Sequence, residues 1–299
     1  MAGLYVKNAG KWYLPKSIWV HHSGTWRVCQ NFYIKHGGSW REMIKTVTLT
    51  SNKSNFNLWE HIGKPTQPVS LVFTVNSNVV ISCKRPTLPQ WCPYHCVDLR
   101  KTVPNNLTTA FTVGNFPNGS TVIINNNGYI SGGGGFGGAG GNSFSKGDRY
   151  PYELDGSNGG NGGHGLTKGS SNSYDCTLVN TGTIAGGGGG GGGAGSYQVY
   201  YDNGLGGQQS GNTRGGHGGD GAGIEGYTRT QGGNSASNQN NYDKGIDGGQ
   251  GGAIGENGQD GQALDGQLAN NGKGGTAGKA IIKSGITIAV SGNIDGAIG

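Results

Sequence analysis

The sequence is poor in charge, in apolar side chains and in cysteine. Of its 299 residues, 13% are charged and 32% are hydrophobic. No apolar run approaches the roughly 18 residues of a membrane-spanning helix, and no basic segment followed by a short apolar stretch opens the chain. We therefore expect neither membrane insertion nor a signal peptide. The five cysteines are odd in number and thinly spread, which argues against a secreted disulfide scaffold and suits synthesis in a reducing cytoplasm.

The sequence also lacks the apolar periodicity of an amphipathic helix and catalytic residues at a recognisable spacing. Strings of the form Gly-x-Gly-x-x-Gly occur, as at Gly216, Gly218 and Gly221, but without the preceding strand and following helix that a nucleotide-binding loop needs. None of the seven histidines has a carboxylate partner at catalytic spacing. We expect no enzyme activity and no cofactor.

Residues of metal-binding type cluster in one place. Cys83, Cys92, His95 and Cys96 could hold zinc, but the Cys-x3-Cys spacing stands alone without a second paired motif. The sequence predicts no metal site, although it leaves the question open for these four residues.

Glycine is what the sequence has in abundance. Of 65 glycines, 57 lie between residues 121 and 299, many of them three residues apart. A three-residue repeat matches the turn of the polyproline II helix, but the phase is broken and the last proline is Pro151, which argues against a collagen triple helix. A disordered linker and a stack of polyglycine II helices remain, and the tyrosines within segments 148–153 and 196–202 favour the stack. The clearest runs are Gly156, Gly159, Gly162 and Gly165; Gly249, Gly252, Gly255, Gly258 and Gly261; and Gly272, Gly275 and Gly278.

The predicted fold is all-β with irregular glycine-rich parts, in three regions. Residues 1–45 contain a 14-residue repeat that predicts β-hairpins, each with a tryptophan: Trp12, Trp26 and Trp40. Residues 46–120 read as a small β-domain, and residues 121–299 as a polyglycine II sandwich with loops. Ordering so much glycine is costly, so main-chain hydrogen bonds must replace an apolar core in that sandwich.

The tryptophan repeats have several interpretations. They could form a platform for carbohydrate or nucleic acid, a shared core of three small units, or a docking surface for another protein. Residues 1–120 hold 13 lysines and arginines against three acidic residues. Because these basic residues are interleaved rather than clustered, we expect a solvated face or an acidic protein partner, and no nucleic acid.

Two short segments resemble a known family. Residues 126–132, Asn-Asn-Gly-Tyr-Ile-Ser-Gly, and residues 180–186, Asn-Thr-Gly-Thr-Ile-Ala-Gly, with glycines continuing over 187–193, resemble the adhesins at the tips of the long tail fibres of T-even-type phages. The resemblance covers residues 121–299. It implies a polyglycine II sandwich whose distal loops contact outer-membrane proteins of the bacterial host, at the distal tip of a fibre on the virion. The tryptophan repeats resemble those of phage tail-fibre proteins generally.

We therefore expect a tail fibre tip adhesin that binds an outer-membrane protein or lipopolysaccharide and sets host range. The alternatives are a tail fibre assembly factor, a fibre subunit without receptor contact, or an ice-binding structural protein. Trp12, Trp26 and Trp40 are the predicted fibre attachment, with one copy capping a trimeric fibre rather than a homotrimer. The predicted receptor-binding residues are Tyr150, Tyr152, Tyr197, Tyr200, Tyr201, Tyr227, Arg229, Tyr242, Leu264 and Leu268.

Loops between antiparallel glycine helices should alternate between two ends of the sandwich. We expect segments 143–155 and 196–205 at the distal end, and we place 222–246 and 264–268 there as well. The alternative is that the tyrosines of these segments merely cover the scaffold.

Overall fold

The structure, a computed structural model, describes the side chains and packing of most of the chain after residue 43. The described ranges are 44–83, 109–138, 140–141, 155–169, 171–195, 215, 218–223, 247–262 and 270–299, with the backbone pairing of short strands at 6–42, 197–213 and 223–230. Within these parts the fold is nearly all β, as predicted, and the one helix is the four-residue α1 (Leu58–His61).

The N-terminal repeat forms three separate antiparallel hairpins. Trp12 pairs with Lys7, Trp26 with His21 and Trp40 with Lys35, so each tryptophan occupies the same position in the second strand of its hairpin. Gly24 turns the middle hairpin at φ +80°, in the left-handed region that favours glycine. The strands are β1 (Val6–Asn8), β2 (Lys11–Tyr13), β3 (Trp19–His22), β4 (Thr25–Val28), β5 (Tyr33–His36) and β6 (Ser39–Glu42).

Three parallel sheets follow, and the chain visits them in turn, so that it winds as a solenoid of five rungs. The first sheet contains β7 (Lys45–Leu49), β10 (Ser70–Val75), β13 (Thr121–Asn126), β16 (Asp175–Asn180) and β23 (Thr287–Val290). The second contains β8 (Lys53–Ser54), β11 (Val80–Ser82), β14 (Tyr129–Ser131), β17 (Thr183–Ala185) and β24 (Asn293–Asp295). The third contains β9 (Phe56–Asn57), β12 (Phe111–Thr112), β15 (Leu166–Thr167) and β22 (Ile281–Ile282), extended by a bridge from Ile281 to Ile298.

An apolar core fills the solenoid because alternate residues of each strand point inward. Phe73, Ile124 and Leu178 hold the same position in successive rungs, and all three are fully buried. Burial of each such side chain stabilises the fold by about 1.5–3 kcal/mol. Phe56 and Phe111 lie 5.5 and 5.8 Å from Phe73 between ring centroids, so aromatic rings fill the core of the first two rungs.

Two buried asparagines turn the corner from the first sheet to the second. The Nδ2 of Asn126 donates to Oδ1 of Asn180 at 2.8 Å, and its Oδ1 accepts from the amide of Gly128 at 3.2 Å. The Nδ2 of Asn180 donates in turn to the carbonyl of Asn293 at 3.3 Å. These amides are satisfied within the core, as buried polar groups must be.

The predicted division at residue 120 falls inside the solenoid and needs correction. Strand β10, from the predicted small β-domain, pairs in parallel with β13, from the predicted glycine-rich domain, over six residue pairs. The composition changes at this point but the architecture does not, because glycine is inserted between strands rather than in a separate region of the chain. The described solenoid strands on either side of residue 120 therefore belong to the same three sheets.

Both long glycine-rich insertions leave the solenoid at the same corner, between the second sheet and the third. The third rung departs after Ser131 and returns at Leu166, and the fourth departs after Ala185 and returns at Ile281. In the first rung a single residue, Asn55, makes this corner, at φ 48°.

Among their described residues, the insertions contain seven glycine-rich segments joined by main-chain hydrogen bonds. Bonds between neighbouring segments recur every third residue: Gly135 and Gly138 donate to the carbonyls of Gly188 and Gly191 at 2.8 and 2.7 Å. In chain order the segments are the first (132–138 with 140–141), second (155–165), third (186–195), fourth (215 with 218–222), fifth (247–255), sixth (256–262) and seventh (270–280).

The third segment is the centre of this array. Its amides donate to the second, fourth and sixth segments, and its carbonyls accept from the first, fifth and seventh. The outer six also bond to one another in a closed ring, in the order first, second, seventh, sixth, fifth, fourth and back to the first. Gly190 shows the pattern, since it donates to Gly160 at 2.9 Å and accepts from Gly275 at 2.7 Å.

Replacing Gly190 with alanine should prevent the array from forming. A Cβ there would lie 1.9 Å from the carbonyl oxygen of Phe136, which is main chain and cannot move away alone. We expect a loss of more than about 4 kcal/mol, a large part of the stability of most domains. Thermal unfolding followed by circular dichroism would measure it. Gln259→Ala, at an exposed side chain of the sixth segment, is the control and should unfold like the wild type; equal unfolding temperatures for both variants would contradict this account of the array.

Candidate functional site

The directions of the seven segments determine which connections lie at which end of the array. The first, third and sixth run away from the solenoid, and the other four run back toward it. The near end is marked by the bond from Gly186 to the carbonyl of Asp295 at 3.0 Å. The far end is marked by bonds from Gly141 to Ala194 at 2.7 Å and from Gly215 to Gly141 at 3.0 Å.

Three connections begin and end at the far end. Residues 142–154, 196–214 and 263–269 each join an outgoing segment to a returning one. The far-end positions predicted for 143–155, 196–205 and 264–268 agree with the segments that flank them. Of the predicted receptor-binding residues, Tyr150, Tyr152, Leu264 and Leu268 belong to these connections and lie outside the described residues.

The middle connection contains an antiparallel hairpin of β18 (Tyr197–Asp202) and β19 (Gln208–Thr213). Tyr197 pairs with Thr213, so the base of the hairpin lies beside the far ends of the third and fourth segments. Tyr200 and Tyr201 lie further along the same strand, toward its connection to β19. The three predicted tyrosines of this connection are therefore brought onto one strand that starts at the far end.

The position predicted for residues 222–246 needs correction at its start. Ala222 accepts from Gly188, close to the near end, and β20 (Gly223–Glu225) begins there and pairs with β21 (Thr228–Thr230). Arg229 pairs with Ile224 and so lies at the near end, not the far end. Tyr227 and Tyr242 lie outside the described residues. The sequence does not show how many glycine helices residues 206–221 form, so it does not show at which end of the array residue 222 lies.

Side chains complete the hydrogen bonding along the seam between the second and seventh segments. Four polar residues, each directly before a glycine of the second segment, accept from main-chain amides of the seventh. Asp155 accepts from Asn270 at 2.7 Å, Asn158 from Lys273 at 2.8 Å, Asn161 from Thr276 at 2.9 Å and His164, through Nδ1, from Lys279 at 2.9 Å.

Other carboxylates and amides do the same elsewhere in the array. Asp260 and Asn257 of the sixth segment accept from Gly274 and Ala277 of the seventh, both at 2.8 Å. Asp220 of the fourth accepts from Gly137 of the first at 2.7 Å. Asp260 is exposed, and its carboxylate nevertheless binds the neighbouring segment.

The seventh segment shows what these side chains accomplish. Its amides at 272, 275 and 278 donate to carbonyls of the third segment, those at 274 and 277 to side chains of the sixth, and those at 273, 276 and 279 to side chains of the second. Every amide from Gly272 to Lys279 therefore has an acceptor, as stable structure without water requires. The 263–269 connection therefore leads into a segment whose amides are all hydrogen-bonded from Gly272 to Lys279.

A family comparison identifies the chain. The sequence profile of the phage tail fibre adhesin Gp38 matches residues 44–299, which include the whole solenoid and the glycine array. The chain belongs to the Gp38 family of phage tail fibre adhesins. The match reaches further toward the N-terminus than the resemblance read from the sequence, which began at residue 121.

This family membership gives the adhesin a binding role in the tail fibre of a virion. A solved structure, described as the gp37–gp38 adhesin tip complex of the bacteriophage S16 long tail fiber, is 23% identical in sequence. It covers 87% of the adhesin and 84% of its own chain, with a TM-score of 0.43. No curated protein matches the adhesin significantly.

Other kinds of site receive little support in the described part of the adhesin. No three histidine, cysteine, aspartate or glutamate residues are grouped there as metal ligands. Cys83 is buried directly after β11, and Cys92, His95 and Cys96 lie outside the described residues. None of the helices among the described residues is long and apolar enough to span a bilayer.

Sequence reasoning missed the side-chain acceptors of the adhesin, although a signal for them exists. Asp, Asn or His directly before a glycine recurs every third residue from Asp155 to His164. With a three-residue period these side chains share one edge of the segment, so they face a common neighbour. Which neighbour they face depends on the folding of distant segments.

His164 makes part of the stability of the adhesin depend on pH. Its Nδ1 can accept from Lys279 only when unprotonated. Burial, and secondarily the charge of Lys279, hold the pKa of His164 below its ordinary value of 6.5. The unfolded chain thus binds the proton more readily than the folded one, so this contribution is present above 6.5 and is lost as pH falls through the lowered pKa.

His164→Asn should flatten this part of the pH dependence. The amide oxygen of asparagine accepts at any of these pH values, as Asn161 does one repeat earlier. Between about pH 7 and pH 5, we expect the unfolding temperature of the wild type to fall by a few degrees more than that of the variant. Parallel slopes for the two proteins in differential scanning calorimetry would show that His164 does not titrate in this way.

Proposed function

We propose that this adhesin forms the distal tip of a phage tail fibre, binds a receptor on the outer surface of a bacterium, and thereby sets host range. The observation that carries the proposal is the geometry of the far end. Three connections start and finish there, at the end of an array whose central third segment is hydrogen-bonded to six neighbouring segments. A rigid scaffold that presents loops at one end is the arrangement of many binding proteins.

We propose further that the seven segments are polyglycine II helices. Donors recur at every third residue, as at Gly132, Gly135, Gly138 and Gly141 of the first segment. Successive amides of the third segment point to three different neighbours, which fits an extended helix with 3 residues per turn. Such a helix is stiff, and this favours receptor binding because little ordering remains to be done on contact.

The proposed receptor contacts are the tyrosines of the far-end connections. Tyr197, Tyr200 and Tyr201 lie in one strand of the hairpin that rises from the third segment, and Tyr150 and Tyr152 belong to the connection beside it. Tyrosine combines a large apolar ring with a hydroxyl and loses little entropy when fixed, so it suits either a protein or a lipopolysaccharide receptor. Leu264, Leu268 and Tyr242 are further candidates.

Replacing Tyr197, Tyr200 and Tyr201 with serine should reduce adsorption of the phage at least about tenfold, since three aromatic contacts would be lost. The measurement is the adsorption rate of phage carrying the variant, together with the unfolding temperature of the purified protein, which should not change. A matched variant with phenylalanine at all three positions keeps the rings and should retain most adsorption. Wild-type adsorption by the serine variant would remove these residues from the site.

Attachment to the fibre is proposed for the three N-terminal hairpins. They lie outside the matched residues 44–299, and each carries a tryptophan at the same register position, as a repeated docking surface would. The proposed partner is a tail fibre protein, with one copy of the adhesin on a trimeric fibre.

Alanine at Trp12, Trp26 and Trp40 together should separate attachment from receptor binding. Because the buried area offered to the fibre would fall, we expect particles to lose the adhesin. Immunogold labelling of mature particles would measure that loss, and binding of the purified variant to bacteria should stay unchanged. Particles labelled as densely as the wild type would place the attachment elsewhere on the chain.

A further inference from the structure

We infer that the side chains of Asp155 and Asn271, acting together with the main chain of Asn270, position the far-end connections relative to one another. The inference rests on the proposed function, because it assigns these residues a role in receptor binding. Both asparagines lie where the 263–269 connection rejoins the array. Their hydrogen bonds reach the ends of the other two far-end connections, 142–154 and 196–214.

Asn270 holds the end of the 142–154 connection. Its amide donates to Oδ1 of Asp155 at 2.7 Å, and its Nδ2 lies 3.5 Å from Oδ2 of the same carboxylate. Its carbonyl accepts from Gly156 at 2.8 Å. The second and seventh segments thus donate hydrogen bonds to each other at Asp155, where the second segment begins.

Asn271 holds the start of the 196–214 connection. Its Oδ1 accepts from the amide of Gly195 at 2.9 Å, at the last described residue before the hairpin. The other end of the 263–269 connection is also tied, since Gln262 donates to the carbonyl of Asp247 at 3.0 Å. Asp247 is where the chain enters the fifth segment. The residues at both ends of the short 263–269 connection are therefore hydrogen-bonded to residues at which other parts of the chain enter or leave the array.

The bonds of Asp155 and Asn271 differ from the other side-chain bonds to the glycine segments because they lie where connections leave the array. Asn158 and Asn161 make the same kind of bond to the seventh segment, at 2.8 and 2.9 Å, but they lie further inside the array. Losing one of those bonds loosens a scaffold that many main-chain bonds still hold. Losing the bond of Asp155 or Asn271 frees the direction in which a receptor-contacting connection leaves the scaffold, so binding must then restore that order.

The test compares two pairs of alanine variants. Asp155→Ala and Asn271→Ala should slow phage adsorption about tenfold, and Asn158→Ala and Asn161→Ala should leave it within about twofold of the wild type. Asp155 and Asn158 are exposed and Asn271 and Asn161 are half-buried, so each test variant has a control of its own burial class. Unfolding temperatures should therefore be alike for each test variant and its control. Asp155→Asn and Asn271→Asp each keep an acceptor oxygen and should restore adsorption.

The outcomes separate this inference from the proposed function. Wild-type adsorption by Asp155→Ala and Asn271→Ala, with adsorption lost in the tyrosine-to-serine variant, would overturn the positioning role and leave the receptor-binding end in place. Equal losses in all four alanine variants would also overturn it, since a general weakening of the scaffold would then be the cause. Wild-type adsorption by the tyrosine variant and all four alanine variants would refute both.

Discussion

Close main-chain hydrogen bonding, made possible by the missing Cβ, is the constraint on which the glycine array depends. At Gly190 an added Cβ would lie 1.9 Å from a carbonyl oxygen, and most glycines facing another segment are similarly confined by backbone. Ordering glycine costs about 0.5–1 kcal/mol more per residue than ordering alanine. Here that cost is offset by hydrogen bonds from the third segment to six neighbouring segments, without an apolar core. Polar side chains then satisfy the amides for which no carbonyl is within reach.

The solenoid supplies what the array cannot specify for itself, which is register. A chain of glycines bonds equally well after a shift of three residues, so it needs a fixed starting point. Ser131 pairs with Ala185 in the parallel sheet, and the next bonds, from Gly132 to Ala185 and from Gly135 to Gly188, continue the same alignment. At the return, the bond from Leu166 to Ala280 fixes the second and seventh segments in the same way. Apolar packing in the sheets therefore aligns the glycine segments.

Much of this architecture could be predicted from local patterns, but the way distant parts meet could not. The hairpin repeat of residues 1–45 is local, and it predicted the hairpins that the structure contains. The three-residue glycine period is local as well, and main-chain donors recur at that spacing in the array. The solenoid was missed because insertions of very different length separate its strands, so no sequence period remains to be seen. Arg229 was placed at the wrong end because the sequence does not show how many glycine segments lie between residues 206 and 221. Asp260 could be assigned to its neighbour only once the seventh segment was in place.

The turn between the fifth and sixth segments bears on how such proteins can diversify. Gly255 turns at φ +75°, and the amide of Glu256 donates to the carbonyl of Ala253 at 2.9 Å. The fifth and sixth segments are thus a compact pair of outer segments joined by a tight turn. The fifth segment runs toward the solenoid and the sixth away from it, so the pair starts and finishes at the far end. Evolutionary gain or loss of such a pair leaves the chain at the end from which the seventh segment returns to the next rung. A lineage can therefore widen or narrow its tip by such pairs while the solenoid stays unaltered.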